Sequence, residues 1–242
     1  MPDIAMIAAL EREVRPLVKD WRTAAREYGG RQYRFFEQED CVVVCGGIGS
    51  EAARRATEAA IALYKPRTVW SVGFAGALEE RWRVGELLQA RCVIDARDGS
   101  RVDVEDGTGG VLVSFSSVAG DEQKSKLAKA YGAQAVDMEA ASVAKAAQAH
   151  GLAFSAVKVI SDEVGFPMPS MERFTGKDGE FRTASFALYG ALRPWLWGTM
   201  IRLAQSSTKA ARALCEHLHK SVNRTRTDEL SIPHAAMKDI VR

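Results

Sequence analysis

The sequence predicts an α/β domain built on a largely parallel sheet. Three observations carry that reading: short β-rich runs alternate with longer alanine-rich helical patterns, 47% of the 242 residues are hydrophobic, and several β-rich runs end in glycines or acids. A chain of this size and composition can bury a substantial core as one compact domain. We expect that domain over 1–205, followed by a helical or disordered tail over 206–242 that is loosely attached.

The elements follow in order. "DIAMIAAL" reads as a first strand that runs directly into the helical "EREVRPLVKDW". "RQYRFFEQ" and "DCVVVCGG" pair as a hairpin joined through Glu37 to Asp40. "SEAARRATEAAIALY" is a helix with Ser50 as N-cap and Glu51 in its first turn, where an acid meets the positive end of the dipole. "RTVWSVGFAGAL" is a strand ending in glycines, and "VGELLQARCVIDA" is a further strand. The polar, glycine-rich "RDGSRVDVEDGTGG" is a turn or short exposed hairpin, after which "VLVSFSSVA" returns to the sheet. "DEQKSKLAKAYG" is a short helix ended by Gly132. Next, "AQAVDMEAASVAKAAQAHG" passes from an apolar run to a helix whose inner face carries Ala140, Val143, Ala144 and Ala147, with Gly151 as its stop. "LAFSAVKVISD" is a strand closed by an aspartate, and the long stretch after Pro167 and Pro169 is helical.

Composition excludes several function classes. The formal net charge of +2 provides no field for a polyanion, so nucleic acid is not an expected partner. The four cysteines lack CxxC spacing, and Cys41 and Cys45 share one strand face, which fits buried thiols. His217 and His219 lie two apart, a spacing that splits them across a helix, so no metal is expected. The N-terminus reaches acids too early for a signal peptide, and the aromatic "FALYGALRPWLWGTMIRLA" is broken by Arg193, Pro194 and Arg202. It reads as a buried or interface helix without stable membrane insertion, and the protein as soluble and cytoplasmic.

Ligands of open parallel sheets bind beyond the carboxyl ends of the strands. Glu11, Glu13, "GGIGS", "GFAGA", "DMEA", Ser161 and Asp162 fall there, and no histidine does, which excludes a Ser-His-Asp triad. "GGIGSEA" lacks the Lys-Ser/Thr of a phosphate loop, and "TVWSV" lacks the acid that would hold a dinucleotide ribose. The glycine turn still offers free N–H groups before a helix, though a tight turn alone explains it equally well. Glu11, Glu13 and Glu139 have an ordinary explanation too, because first-turn acids gain about 0.3–1 kcal/mol from the helix dipole. Asp162 follows an apolar run and precedes no evident helix to cap, so it stands out as a functional acid. Several acids on one sheet edge suit chemistry in which positive charge develops on a sugar carbon while a leaving group takes up a proton.

Six segments in matching order, "IAMIAALEREV", "VVVCGGIGSEAA", "SVGFAGAL", "VGELL", "AVDMEAASVA" and "VKVISDEVG", resemble the nucleoside phosphorylase and nucleosidase superfamily from about Ile4 to Ala204. Within it they are most similar to the methylthioadenosine/S-adenosylhomocysteine nucleosidases. The resemblance implies a three-layer α/β/α sandwich around a mixed, twisted central sheet, a homodimer, a purine nucleoside as small-molecule partner, and no metal or organic cofactor. It implies that Asp162 is the general acid that protonates the purine, with Ser161 orienting it; an acid in that role must carry its proton near neutral pH. It implies that Glu139 grips the ribose hydroxyls, that Met138 packs on the sugar, that Ile48 lies near it, and that Glu13 rather than Glu11 activates the attacking water. The hexameric phosphorylases hold phosphate with an arginine where this chain has Ser71, which points to hydrolysis over phosphorolysis. Two departures fall among the substrate-binding positions: Phe74 stands for a small serine and Lys158 for an arginine near the sugar. The purine loop is expected in "SFSSVAG". The compact middle is also similar to hopanoid-associated phosphorylase-like proteins, so the alternatives to the nucleosidase are an adenosylhopane nucleosidase or a phosphorylase of the same fold, or a non-catalytic nucleoside-binding protein that keeps the fold, as Phe74 and Lys158 permit.

Overall fold

A computed structural model describes residues 2–167, 174 and 197–230. Strand β1 (Ile4–Ala8) is wholly buried, and its alternating side chains feed two cores. Ile4, Met6 and Ala8 face helix α1 (Glu11–Val18) and the C-terminal helix α5 (Trp197–Leu230), while Ala5 and Ile7 face helices α2 (Ser50–Tyr64) and α4 (Ala140–Ala149). Period-two alternation in a strand covered on both faces therefore produces three layers, helices on either side of a sheet. The sandwich implied by the resemblance is the fold observed.

The sheet has eleven strands, and its main path runs β2–β3–β4–β1–β5–β10–β9–β7–β8, with β11 beside β5 and β6 beside β11. Strand β5 (Thr68–Ala77) is its spine. It pairs in parallel with β1 and with β11 (Ala153–Asp162), and its last residues pair antiparallel with β10 (Ala135–Asp137). Parallel pairs also join β1 to β4 (Cys41–Cys45), and β9 (Val111–Ser114) to β7 (Cys92–Asp95) and β10. Antiparallel pairs join β2 (Arg22–Tyr28) to β3 (Arg31–Gln38), β3 to β4, β7 to β8 (Arg101–Asp103), and β6 (Leu87–Gln89) to β11. The two kinds occur equally often, so the sheet is mixed and not largely parallel as composition suggested.

Helix α2 occupies the expected residues, but Gly49 with φ +96° takes the N-cap position, and Ser50 is the first helical residue. The expected strand through "VGELLQARCVIDA" is two: Ala90 donates to the carbonyl of Ala156 and Arg91 to that of Gly110, so the chain turns a corner from β11 toward β9. Helix α3 (Asp121–Tyr131) ends at left-handed Gly132 as expected, and α4 is followed by left-handed Gly151. The described cysteines are free thiols; Cys41, Cys92 and Cys215 are buried.

The boundary expected at 205 falls inside α5. Ala210, Leu214, Cys215 and Leu218 are buried against Val14, Leu17 and Val18 of α1, so this part of the tail is core and not loosely attached. Residues 231–242 lie outside the described set. Most of the Trp-rich stretch does too; where it is described Trp197 and Ile201 are exposed, so of the buried or interface helix expected there these two positions are not buried within the chain. Among the described residues, no helix is long and apolar enough to cross a membrane.

Candidate active site

One cleft gathers the carboxyl ends of β1, β5, β9, β10 and β11, as the strand-end rule requires. Its walls include Glu13, Ile48, Phe74, Met138, Glu139, Ser161 and Asp162, seven of the eight residues singled out in the sequence. The eighth, Lys158, is not on the wall. It is 2% exposed, and its Nζ sits 3.0 Å from Asp137 Oδ2, behind the carboxylates instead of facing a ligand.

Strand β5 explains the layout. Gly73 has φ +141°, and a Cβ there would lie 2.7 Å from Glu13 Oε2. The backbone at this point must be glycine both for its conformation and for the carboxylate packed on it. Three residues on, a Cβ at Gly76 would lie 2.9 Å from Asp162 Oδ2. At strand rise these two bare points are roughly 10 Å apart, with carboxylates stationed at each.

At the Gly73 end, Glu13 reaches back from the first turn of α1, its Oε2 3.5 Å from the Leu10 N–H. Burial pushes its carboxyl up from the ordinary value, and Lys158 only partly opposes this. Glu139 accepts the Gly49 N–H at 2.8 Å, which ties the glycine turn to the end of β10, and the Met138 N–H at 3.2 Å. Burial, and then the neighbouring Asp137, push Glu139 up to about 7. Asp137, which also lines the cleft, accepts the Ser114 hydroxyl at 2.5 Å and the Ala140 N–H, the first of α4, at 2.8 Å. Burial would lower Lys158, but the carboxylates of Asp137 and Glu139 outweigh it and hold its ammonium above the usual range.

At the Gly76 end, the register of β11 against β5 slips between Ile160 and Asp162. This bulge re-aims the strand end into the cleft. The Ser161 hydroxyl donates to Asp162 Oδ1 at 2.8 Å. The other oxygen, Oδ2, meets the Nζ of Lys124 at 2.5 Å. Nothing in the sequence reading pointed to Lys124. Its one trace is the i, i+3 spacing to Leu127, the two forming the buried face of an otherwise exposed helix.

Ser117, Val118 and Ala119, within the segment expected as the purine loop, line the same cleft, and Leu203 and Ser207 reach it from α5. Glu11 is turned away from the cleft and pairs with Arg34. Ser71 is buried within β5 and does not line the cleft, whereas Arg12 does.

The chain is similar to known proteins in keeping with this layout. A 5′-methylthioadenosine/S-adenosylhomocysteine nucleosidase of Staphylococcus aureus is 26% identical over 196 residues, covering 66% of this chain and 86% of that protein. A nucleosidase of the same name from Helicobacter pylori, solved with butyl-thio-DADMe-Immucillin-A, superimposes with a TM-score of 0.68 at 19% identity, over 93% of this chain and 99% of that one. The futalosine hydrolase of Helicobacter pylori matches as well in fold, with a TM-score of 0.68 at 18% identity over 92% and 98% of the two chains. The sequence also matches the model of the phosphorylase superfamily over residues 3–117 and 102–189, most of its length, and the chain belongs to that superfamily.

Proposed function

We propose that the protein is an N-ribosyl hydrolase that releases adenine from a 5′-modified adenosine of the methylthioadenosine/S-adenosylhomocysteine type. The observation that carries the reading is the separation of carboxylates along β5, Glu13 at Gly73 and Asp162 at Gly76, with Glu139 on the wall of the same cleft. That spacing fits a sugar at one end and its base at the other. The names of the relatives support the adenine nucleoside and its 5′ substituent.

In this reading Asp162 gives a proton to the purine as the glycosidic bond breaks, while water attacks the sugar carbon and Glu13 takes the water's proton. A carboxylate raised by burial is a stronger base, which suits Glu13. Glu139 accepts the ribose hydroxyls. Two N–H groups already bind it, one on each oxygen, and each oxygen keeps a second lone pair for a hydroxyl. Met138 and Ile48 pack on the sugar, and Phe74 narrows the wall beside it. The assembly that accompanies this reading is a homodimer, checked by the mass in solution.

Water is the nucleophile in preference to phosphate, because the position that supplies an arginine in the phosphorylases is a buried serine inside the sheet. Incubation with methylthioadenosine, with and without phosphate, tests this. Free methylthioribose is expected in both, and methylthioribose 1-phosphate would overturn the hydrolase reading. Asp162→Asn is expected to abolish adenine release, and Glu13→Gln to lower it by about 100-fold or more. Glu11→Gln is expected to be nearly silent, and the reverse order for the two glutamates would reassign the base.

A further inference from the structure

Helix α3 lies on the surface for most of its length, and only Lys124 and Leu127 of it are buried. Lysine is among the residue types least often fully buried, and hiding its ammonium is costly unless it is paired. Here it is paired with the acid at the base end of the cleft. Nζ lies 2.5 Å from Asp162 Oδ2 and 3.0 Å from the carbonyl oxygen of Glu163. Both side chains are nearly without exposure, at 3% and 5%. Strand β5 makes room for the pair, since a Cβ on Gly76 would meet Asp162 Oδ2 at 2.9 Å and Lys124 Cε at 3.3 Å. Three elements, α3, β5 and β11, are thus fitted around one ion pair on the cleft wall. Stability is a poor reason for it, because a buried ion pair seldom outperforms apolar side chains of the same volume. A methionine beside Leu127 would have packed there without a charge to satisfy.

We infer that Lys124 is a positioning residue for departure of the base: it aims Oδ2 of Asp162 and faces the negative charge that Asp162 acquires in that step. The inference rests on the nucleosidase reading of the same site. The bond from C1′ to the purine nitrogen breaks with its electron pair going to the purine, and the proton of the Asp162 carboxyl moves to a ring nitrogen. The attacking water gives its hydroxyl to C1′ and its other proton to Glu13. After product release Glu13 loses that proton to solvent and Asp162 regains one. In between, Asp162 is a buried carboxylate, and the ammonium at 2.5 Å makes it half of an ion pair instead of an isolated anion. Measured from the protonated acid that gives up its proton, the attraction to the ammonium grows as the proton leaves, and an interaction stronger in the transition state than in the ground state raises kcat and not merely binding.

The test measures kcat and KM for methylthioadenosine with the wild type, Lys124→Met and Lys124→Arg, with adenine binding and circular dichroism as checks on the folded site. Lys124→Met is expected to lower kcat by about 100-fold with KM changed by no more than roughly threefold, and Lys124→Arg to recover most of that loss. Should the Met variant not fold, Lys124→Gln, which keeps a donor without the charge, is read in its place against the same values. A neutral variant within roughly threefold of wild-type kcat would overturn the inference. So would an Arg variant as slow as the neutral one, or a loss of rate matched by loss of folded protein. Wild-type protein that releases no adenine from any nucleoside would overturn the nucleosidase reading and this inference together, whereas adenine release with Lys124 dispensable would overturn the inference alone.

Discussion

Glu139 accepts two backbone N–H groups and still favours its proton, because burial and the charge of Asp137 outweigh those bonds and raise it to about 7. The sign of the consequence follows from linkage. The folded protein binds a proton that the unfolded chain releases at the ordinary carboxyl value, so stability falls as pH rises from about 4.5 to about 7. In the proposed role Glu139 accepts ribose hydroxyls in its ionised form, so kcat/KM for methylthioadenosine is expected to rise over the upper part of the same window. Thermal unfolding and kinetics between about pH 5 and pH 8 check both, and Glu139→Gln is expected to flatten the stability profile. A Gln variant with the wild-type slope would assign the titration to another group. Lys158 offers a second case. Its removal in Lys158→Met leaves Asp137 buried without its cation, a loss of about 3–5 kcal/mol in denaturant unfolding even though the side chain lines no cleft. An unchanged midpoint would mean that the hydrogen bonds from Ser114 and Ala140 suffice for Asp137. The candidate acids were legible because each lies at or just beyond a recognisable strand end; Lys124 was not, because a lysine among lysines on a polar helix gives no sign of which one is folded inward.

Among the elements, β5 carries the site through two glycines, and Gly76 is the more exposing test. A Cβ at 2.9 Å from Asp162 Oδ2 and 3.3 Å from Lys124 Cε obliges the ion pair to move, while the backbone at Gly76 demands no left-handed conformation. Gly76→Ala is therefore expected to lower kcat by about 10- to 100-fold through misplacement of the acid, with only a small change in melting temperature. Rates close to wild type would show that the pair shifts without consequence. The elements that sequence patterns revealed were those with a buried face: β1, β4, β5, β9 and β11 are almost wholly interior. Strand β2 escaped notice because "RTAAREY" is exposed along nearly all its length, so alternation has nothing to record. As an edge strand it carries Arg22, Arg26 and Glu27, charges that discourage pairing with another chain. The corner between β6 and β7 was hidden for the opposite reason, since both sides of it are apolar enough to read as one strand.

At the scale of the whole molecule, α5 closes both the core and the cleft. Ala210, Leu214 and Leu218 recur every four residues and seal the face formed by α1, β1 and β11, while Leu203 and Ser207 of the same helix line the cleft. That spacing was present in the sequence, but the polar residues between and after these positions diluted it until the segment read as a tail. The Cys215 thiol lies 3.5 Å from the carbonyl oxygen of Glu13, so the helix also backs the segment that holds the proposed base. Leu214 and Leu218 are fully buried, and truncating such a side chain to alanine costs about 2–5 kcal/mol each. Together they approach the 5–15 kcal/mol that is the usual net stability of a domain. A chain ending at Gln205 is therefore expected to lack cooperative thermal unfolding and to release no adenine, while one ending at Val222 keeps Ala210, Ala211, Leu214, Cys215 and Leu218 and is expected to retain both. Cooperative unfolding of the shorter chain would restore the reading of everything beyond 205 as an appendage; its loss would make the C-terminal helix part of the catalytic domain.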